Sequence, residues 1–200
     1  MSFLPAPPRV GAEAVRFLPV LTSSDRPLPL RSLTEEKMIR GIHHTSISTQ
    51  DFERLVAFYR DVVGLELVAS YGWDRTSPDA ENLDKIVGLK GSSTQSALFR
   101  TGNTHLEVFR YVTPVGKQPI PDRPACDAGL THVAFDVIDI SAEYDRLRKA
   151  GVPFHTEPQT VGLFRSTYGR DPDGNIFELQ EVLDPRHPVA LENILPDLGK

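Results

Sequence analysis

Two stretches of the chain alternate apolar and polar residues with period two. In 132–137, Val133, Phe135 and Val137 alternate with His132, Ala134 and Asp136. In 44–49, Thr45, Ile47 and Thr49 alternate with His44, Ser46 and Ser48. Such alternation predicts strands with one face on a core and the other on something more polar. Each pattern then gives way to helical spacing. Asp51 suits an N-cap, and Phe52, Leu55, Val56, Tyr59 and Val63 recur along one helix face before Gly64. The second run goes from Asp139 through Ile140, Tyr144 and Leu147 to Gly151, with Lys149 near the C-terminal end.

Short strand patterns follow each helix: 65–71, 94–100 and 104–111 in the first half, 152–155, 161–169 and 175–182 in the second. Each half thus reads β-α-β-β-β. An excursion at 72–92, with a short helix around 81–87, belongs to the first half alone. Asp171-Pro172-Asp173-Gly174 predicts a tight turn into the last strand.

The halves are copies. Gly41-Ile42-His43-His44 aligns with Gly129-Leu130-Thr131-His132, and the same offset of 88 relates Asp51 to Asp139. A duplicated unit constrains the whole fold. The expected organisation is an arm at 1–40, a first module at 41–128, a second at 129–183 and a tail at 184–200. The arm departs from the rest in composition. Six of the chain's 17 prolines fall within it, which disfavours long helix or central strand. Its Phe3, Leu4, Val15, Phe17 and Leu18 predict an extended segment that packs on the body or on a partner subunit.

Two hundred residues suffice for a proper core. A formal charge of −5 argues against broad electrostatic binding to nucleic acid or anionic membrane. No apolar run approaches the ~20 residues of a membrane helix, and no basic-then-apolar leader pattern is present. The single cysteine, Cys126, excludes an intrachain disulfide. A cytoplasmic location is expected on these grounds.

The candidate chemistry lies on the strand faces. His44 and His132 hold equivalent places in the two copies. Glu107 and Glu178 sit between apolar neighbours, Leu106 and Val108 in one case, Phe177 and Leu179 in the other. By alternation both glutamates point away from the helix-packed side, as both histidines do. His44 precedes Glu107 by 63 residues and His132 precedes Glu178 by 46, a difference of 17 that the 72–92 excursion accounts for. Paired histidines and carboxylates on the concave face of a curved sheet make a divalent-metal site. If the copies pair by a pseudo-twofold, the histidines converge. The parity of His43 puts it on the helix side. His105, two residues before Glu107, should face the site.

At this point the sequence resembles the vicinal oxygen chelate superfamily, the glyoxalase, bleomycin-resistance and dioxygenase group. The resemblance covers about 140 of the 200 residues, in 38–182. It rests on Gly41-Ile42-His43-His44-Thr45-Ser46-Ile47, on Phe58-Tyr59-Arg60-Asp61 with Gly64-Leu65, on Gly129-Leu130-Thr131-His132-Val133-Ala134-Phe135, and on Asp171-Pro172-Asp173-Gly174-Asn175-Ile176-Phe177-Glu178. It implies an α+β fold of paired βαβββ modules forming a curved, cup-like mixed sheet. It implies one divalent metal ion (Zn, Ni, Co, Mn or Fe) on His44, Glu107, His132 and Glu178. His105 and Tyr168 are expected in a supporting or substrate-contacting role. Cys126 and His155 match no family role and are read as structural. A small-molecule substrate and a homodimer are also implied.

Two histidines and two carboxylates on an octahedral metal leave two positions open. The resemblance to glyoxalases and epimerases then implies an isomerase, epimerase or lyase. Such an enzyme abstracts a proton next to a carbonyl, with Glu178 or Glu107 as the base. Two alternatives stand beside it. His44, His132 and Glu178 alone would form the facial triad of an iron(II) extradiol dioxygenase, for which Glu107 is one ligand too many. A drug-sequestering protein without catalysis is the other. Arg100, Arg165 and Arg170 are candidates for holding an anionic substrate.

Overall fold

The computed structural model describes Ile39 and residues 41–194. The remainder of the proline-rich segment 1–40 and the end of the tail, 195–200, lie outside the described residues. The first module runs β1 (His44–Ser48), α1 (Phe52–Ala57), β2 (Glu66–Tyr71), α2 (Ala80–Val87), β3 (Ser93–Arg100) and β4 (His105–Thr113). The second runs β5 (His132–Asp136), α3 (Ile140–Lys149), β6 (Gln159–Val161), β7 (Phe164–Arg170) and β8 (Ile176–Val182), and α4 (Leu191–Ile194) follows in the tail.

Both expected caps form. The Arg54 amide donates to Asp51 Oδ1 at 3.3 Å, and the Ala142 amide donates to Asp139 Oδ1 at 3.0 Å. The first helix does not stop at Ala57 but widens into a π-helical segment, Phe58–Val63. Gly64, at φ 92°, ends it in the left-handed conformation.

Each module forms one open, mixed sheet of four strands, in the orders β1-β4-β3-β2 and β5-β8-β7-β6. β1 and β4 are parallel, as are β5 and β8; the other pairs are antiparallel. One apolar cluster serves both modules. It joins Leu55, Phe58 and Tyr59 to Ala97, Phe99, Leu106 and Val108, and to Ile140, Tyr144, Leu147, Phe177 and Leu179. Fully burying one such leucine is worth roughly 1.5–3 kcal/mol.

The predicted strand at 152–155 is a correction. Only Phe154 bridges Gly169, because Pro153 has no amide to donate and the Phe154 ring turns into the core. The span read as one strand at 161–169 contains the turn between β6 and β7, where Gly162 takes φ 62°.

Polar links also join the modules. Tyr59 donates to Asp171 Oδ2 at 2.9 Å, and Arg54 donates to Asp173 Oδ1 at 2.6 Å. Arg146 of α3 donates to the carbonyls of Val62 and Val63 at 2.7 and 3.1 Å, satisfying acceptors left open where the first helix ends. The turn at Asp171–Gly174 is therefore also an anchor between modules. No described helix is long and apolar enough to cross a membrane.

Candidate functional site

The parallel pairing of β1 with β4 sets Ser46 beside Glu107, and that of β5 with β8 sets Ala134 beside Glu178. In each case the histidine stands two residues earlier on the same strand and the same face. One register thus produces both pairs. His44 Nε2 lies 3.7 Å from Glu107 Oε2, and His132 Nε2 lies 3.0 Å from Glu178 Oε2. The four residues come together two by two. Among the described residues of one chain, no group of three or more histidine, cysteine or acidic side chains converges.

The pairs are held differently. Glu107 is only 5 % exposed, and Oε1 accepts hydrogen bonds from the Tyr71 hydroxyl and, at 3.3 Å, from Ser96 Oγ. Burial first, and then the bond to Glu107 and its charge, push the Tyr71 phenol up to about 12. The Glu178 carboxylate pairs with His132 and accepts no other side-chain hydrogen bond among the described residues. Tyr168, its cross-strand neighbour, packs its ring at a tilt of 40° against the His132 ring, with centroids 4.9 Å apart. Burial, and then the Glu178 charge, raise the Tyr168 phenol. His132 Nδ1 is buried without a hydrogen-bond partner among the described residues.

His105 lies on the face expected, paired in register with His44 and stacked on His43 at 5.6 Å. His43 departs from the expectation. It precedes the first residue of β1, so strand parity does not govern it, and its Nδ1 stands 2.9 Å from His44 Nδ1. The His-His doublet was the signal that sequence reasoning discounted. Tyr71 and Ser96 were missed, because their approach to Glu107 depends on the β2–β3–β4 register. His155 packs its ring on Tyr168 at 5.9 Å, and Cys126 is exposed. The three candidate anion-binding arginines are engaged elsewhere. Arg100 pairs with Glu66 at 2.9 Å, Arg165 with Ser141 and Glu181, and Arg170 with the carbonyls of Pro121, Arg123 and Gly174.

The donor chemistry of each pair fits a divalent cation. Imidazole and carboxylate suit first-row metals. Two donors about 2.1 Å from one cation and at right angles stand about 3.0 Å apart. The His132–Glu178 separation of 3.0 Å matches this, and the His44–Glu107 separation of 3.7 Å is slightly wider.

Known proteins share this arrangement of modules. The Bacillus subtilis (strain 168) protein YwkD is 30 % identical over 148 residues, covering 72 % of this chain and 98 % of its own. A 2-epi-5-epi-valiolone epimerase from an Actinomyces species is 28 % identical over 124 residues, 60 % of this chain and 65 % of the epimerase. The crystal structure of a glyoxalase family protein from Bacillus cereus superposes with a TM-score of 0.65 at 24 % identity, over 75 % of this chain and 99 % of that one. Named activities among the relatives extend to a metallothiol transferase and a biphenyl-2,3-diol dioxygenase. The profile of the Glyoxalase/Bleomycin resistance protein/Dioxygenase superfamily matches residues 41–179, and the chain belongs to that superfamily.

Proposed function

We propose that the protein is a metal-dependent isomerase, epimerase or lyase that moves a proton next to the carbonyl of a small chelating molecule. The observation that carries this reading is the repeated His–Glu pair, one on each parallel strand pair. His44 and Glu107 would hold one side of a divalent cation, and His132 and Glu178 the other. The cation, when bound, supplies Lewis-acid polarisation of the substrate carbonyl.

The remaining steps belong to side chains. Glu107 is fixed by Tyr71 and Ser96 and is suited to permanent ligation. Glu178 has no such anchors among the described residues and can swing to take the proton on a carboxylate oxygen and return it. The His132 ring, packed against Tyr168, keeps its Nε2 directed at this site.

A second copy of the chain would complete the centre. β1 and β5 are edge strands, each with one side free of a strand neighbour among the described residues. Each edge carries a histidine of the site. A twofold dimer that sets β1 of one copy against β5 of the other joins the two half-sites, twice per dimer.

The test is metal content and affinity by elemental analysis and calorimetry. It is paired with deuterium incorporation from solvent into hemithioacetals and acyl-CoA thioesters. The expected result is a stoichiometric metal that Glu107→Gln loses, and proton exchange that Glu178→Gln loses with its metal retained. Stoichiometric oxygen uptake with iron(II) and catechols would establish the dioxygenase instead. A metal-free protein with unchanged ligand binding would establish a sequestering protein.

A further inference from the structure

The excursion between β2 and β3 has no counterpart in the second module, where the segment between α3 and β7 holds only the short β6. Its first residues run against β3. The Thr94 amide donates to the Trp73 carbonyl at 2.8 Å. Gly72 permits this approach, since a Cβ there would collide with the Thr94 carbonyl. Trp73 is thereby delivered to the polar face of the sheet. Its ring meets Phe109 edge to face, with centroids 5.6 Å apart, and Phe109 lies 5.2 Å from Tyr111.

These rings adjoin the candidate metal pair. Phe109 and Tyr111 follow Glu107 at two-residue intervals on β4, so all three face the same way. Phe109 also pairs in register with Ser96, and Tyr71 pairs with Ser96 from the other side. Trp73, Phe109, Tyr111 and Tyr71 therefore form a half-exposed aromatic wall beside Glu107.

The wall is built to hold its shape. Trp73 Nε1 donates to Ser92 Oγ at 2.8 Å, and Ser92 Oγ donates to Asp84 Oδ1 at 2.5 Å. Asp84 also accepts from the amides of Gly91 and Ser92, at 2.6 and 2.9 Å. Asp84 lies on α2, so the excursion's helix fixes the indole through one buried serine. Preorganised rings of this kind lower the ordering cost of binding. The opposite half-site presents Tyr168 with Ser166, Gln180 and Asp136 on the corresponding strands. On the described polar face of the first sheet the one Lys or Arg is Arg100, tied to Glu66 at its far end.

We infer that the 72–92 excursion builds a substrate subsite, and that the substrate carries a flat apolar ring. The ring lies against Trp73, Phe109 and Tyr111, and chelating oxygens on its edge reach the His44–Glu107 pair. The chelating end rests on the metal reading above; the ring subsite rests on the wall alone.

Trp73 is the sole tryptophan of the chain, so its fluorescence reports directly on the wall. The experiment compares benzohydroxamate with acetohydroxamate, which share a chelating head and differ by a phenyl ring. Each is titrated into full-length protein, metal-stripped or loaded with cobalt(II), by calorimetry and by fluorescence. The expected result with metal is benzohydroxamate binding at least about tenfold tighter, with quenching of Trp73. Trp73→Ala removes that preference and leaves acetohydroxamate affinity unchanged, while Trp73→Phe retains it. Ser92→Ala, a milder change, reduces it. Equal affinity of the two probes for the loaded wild-type protein overturns the ring subsite and leaves the metal reading standing. Failure of acetohydroxamate to bind loaded protein overturns the metal reading. Quenching by benzohydroxamate in the stripped protein would still support the wall.

Discussion

The Tyr71 hydroxyl donates to Oε1 of Glu107, the carboxylate whose other oxygen faces His44 across 3.7 Å. No equivalent hydroxyl reaches Glu178 among the described residues; Tyr168 packs its ring against His132 instead. Groups that hold a ligating side chain in place are typically worth about 10–100-fold in metal affinity. Tyr71→Phe should therefore weaken divalent-metal binding by about 10-fold or more, with the circular dichroism spectrum unchanged. Tyr168→Phe keeps the packed ring and should change affinity by less than about 3-fold. Calorimetric titration of both variants checks the contrast.

The proposed completion of the site by a second copy has a distinctive signature. His44→Ala and His132→Ala should each break every site in their own dimers. Mixed and allowed to exchange subunits, they form heterodimers in which one site has both alanines and the other has neither. About half of the dimers are mixed, so about a quarter of the wild-type metal sites should return. Metal stoichiometry before and after mixing measures this. A site made within one chain would show no recovery.

The link between modules should appear in stability. The Asp173 side chain is 1 % exposed, and Arg54 is its ion-pair partner, at 2.6 Å. Arg54→Ala would leave a buried carboxylate without its counter-charge. Because Arg54 is itself half exposed, the cost should fall below that of a fully buried pair, at about 2 kcal/mol. For a chain of this size that lowers the thermal midpoint by about 4–8 °C, readable by differential scanning calorimetry. Arg60→Ala, which removes an exposed pair with Asp61, serves as the comparison and should be nearly silent.

Asp171 should give the fold a pH dependence whose sign follows from its burial. Burial raises its carboxyl above the ordinary value of 3.8, against the lowering influence of Asn175 and Tyr59. The folded protein thus holds this proton more tightly than the unfolded chain. Its contribution to stability is full below the unfolded value and is lost as pH rises through the raised folded one. Asp171→Asn should abolish that portion of the slope. Urea unfolding of both proteins from pH 3 upward tests this. Parallel curves for the two would refute the assignment.

The repeat, the helix caps and the strand faces were legible because each depends on local spacing. Asp51 and Asp139 cap as their position demands, and His44, Glu107, His132 and Glu178 all stand on the polar faces that alternation assigns. Other features depend on what lies across a sheet. Tyr71 meets Glu107 only through the β2–β3 register, which shifts between Leu67 and Ala69. The doublet at His43 lies where strand alternation has not yet begun. The strand expected at 152–155 failed because Pro153 and the inward turn of Phe154 outweigh its apolar pattern. Whether the four candidate ligands meet is a matter of how sheets are placed, which no spacing within one strand encodes.

The one-sided excursion bears on handedness. A cup made of two equal walls would accept a molecule either way round. Here Trp73 and α2 furnish one wall and the polar Tyr168 half furnishes the other. If the two half-sites join as proposed, a bound molecule would have a single way to lie, and Glu178 would meet only one face of its reacting carbon. Stereochemical choice would thus originate in some twenty inserted residues that need not touch the reacting bond.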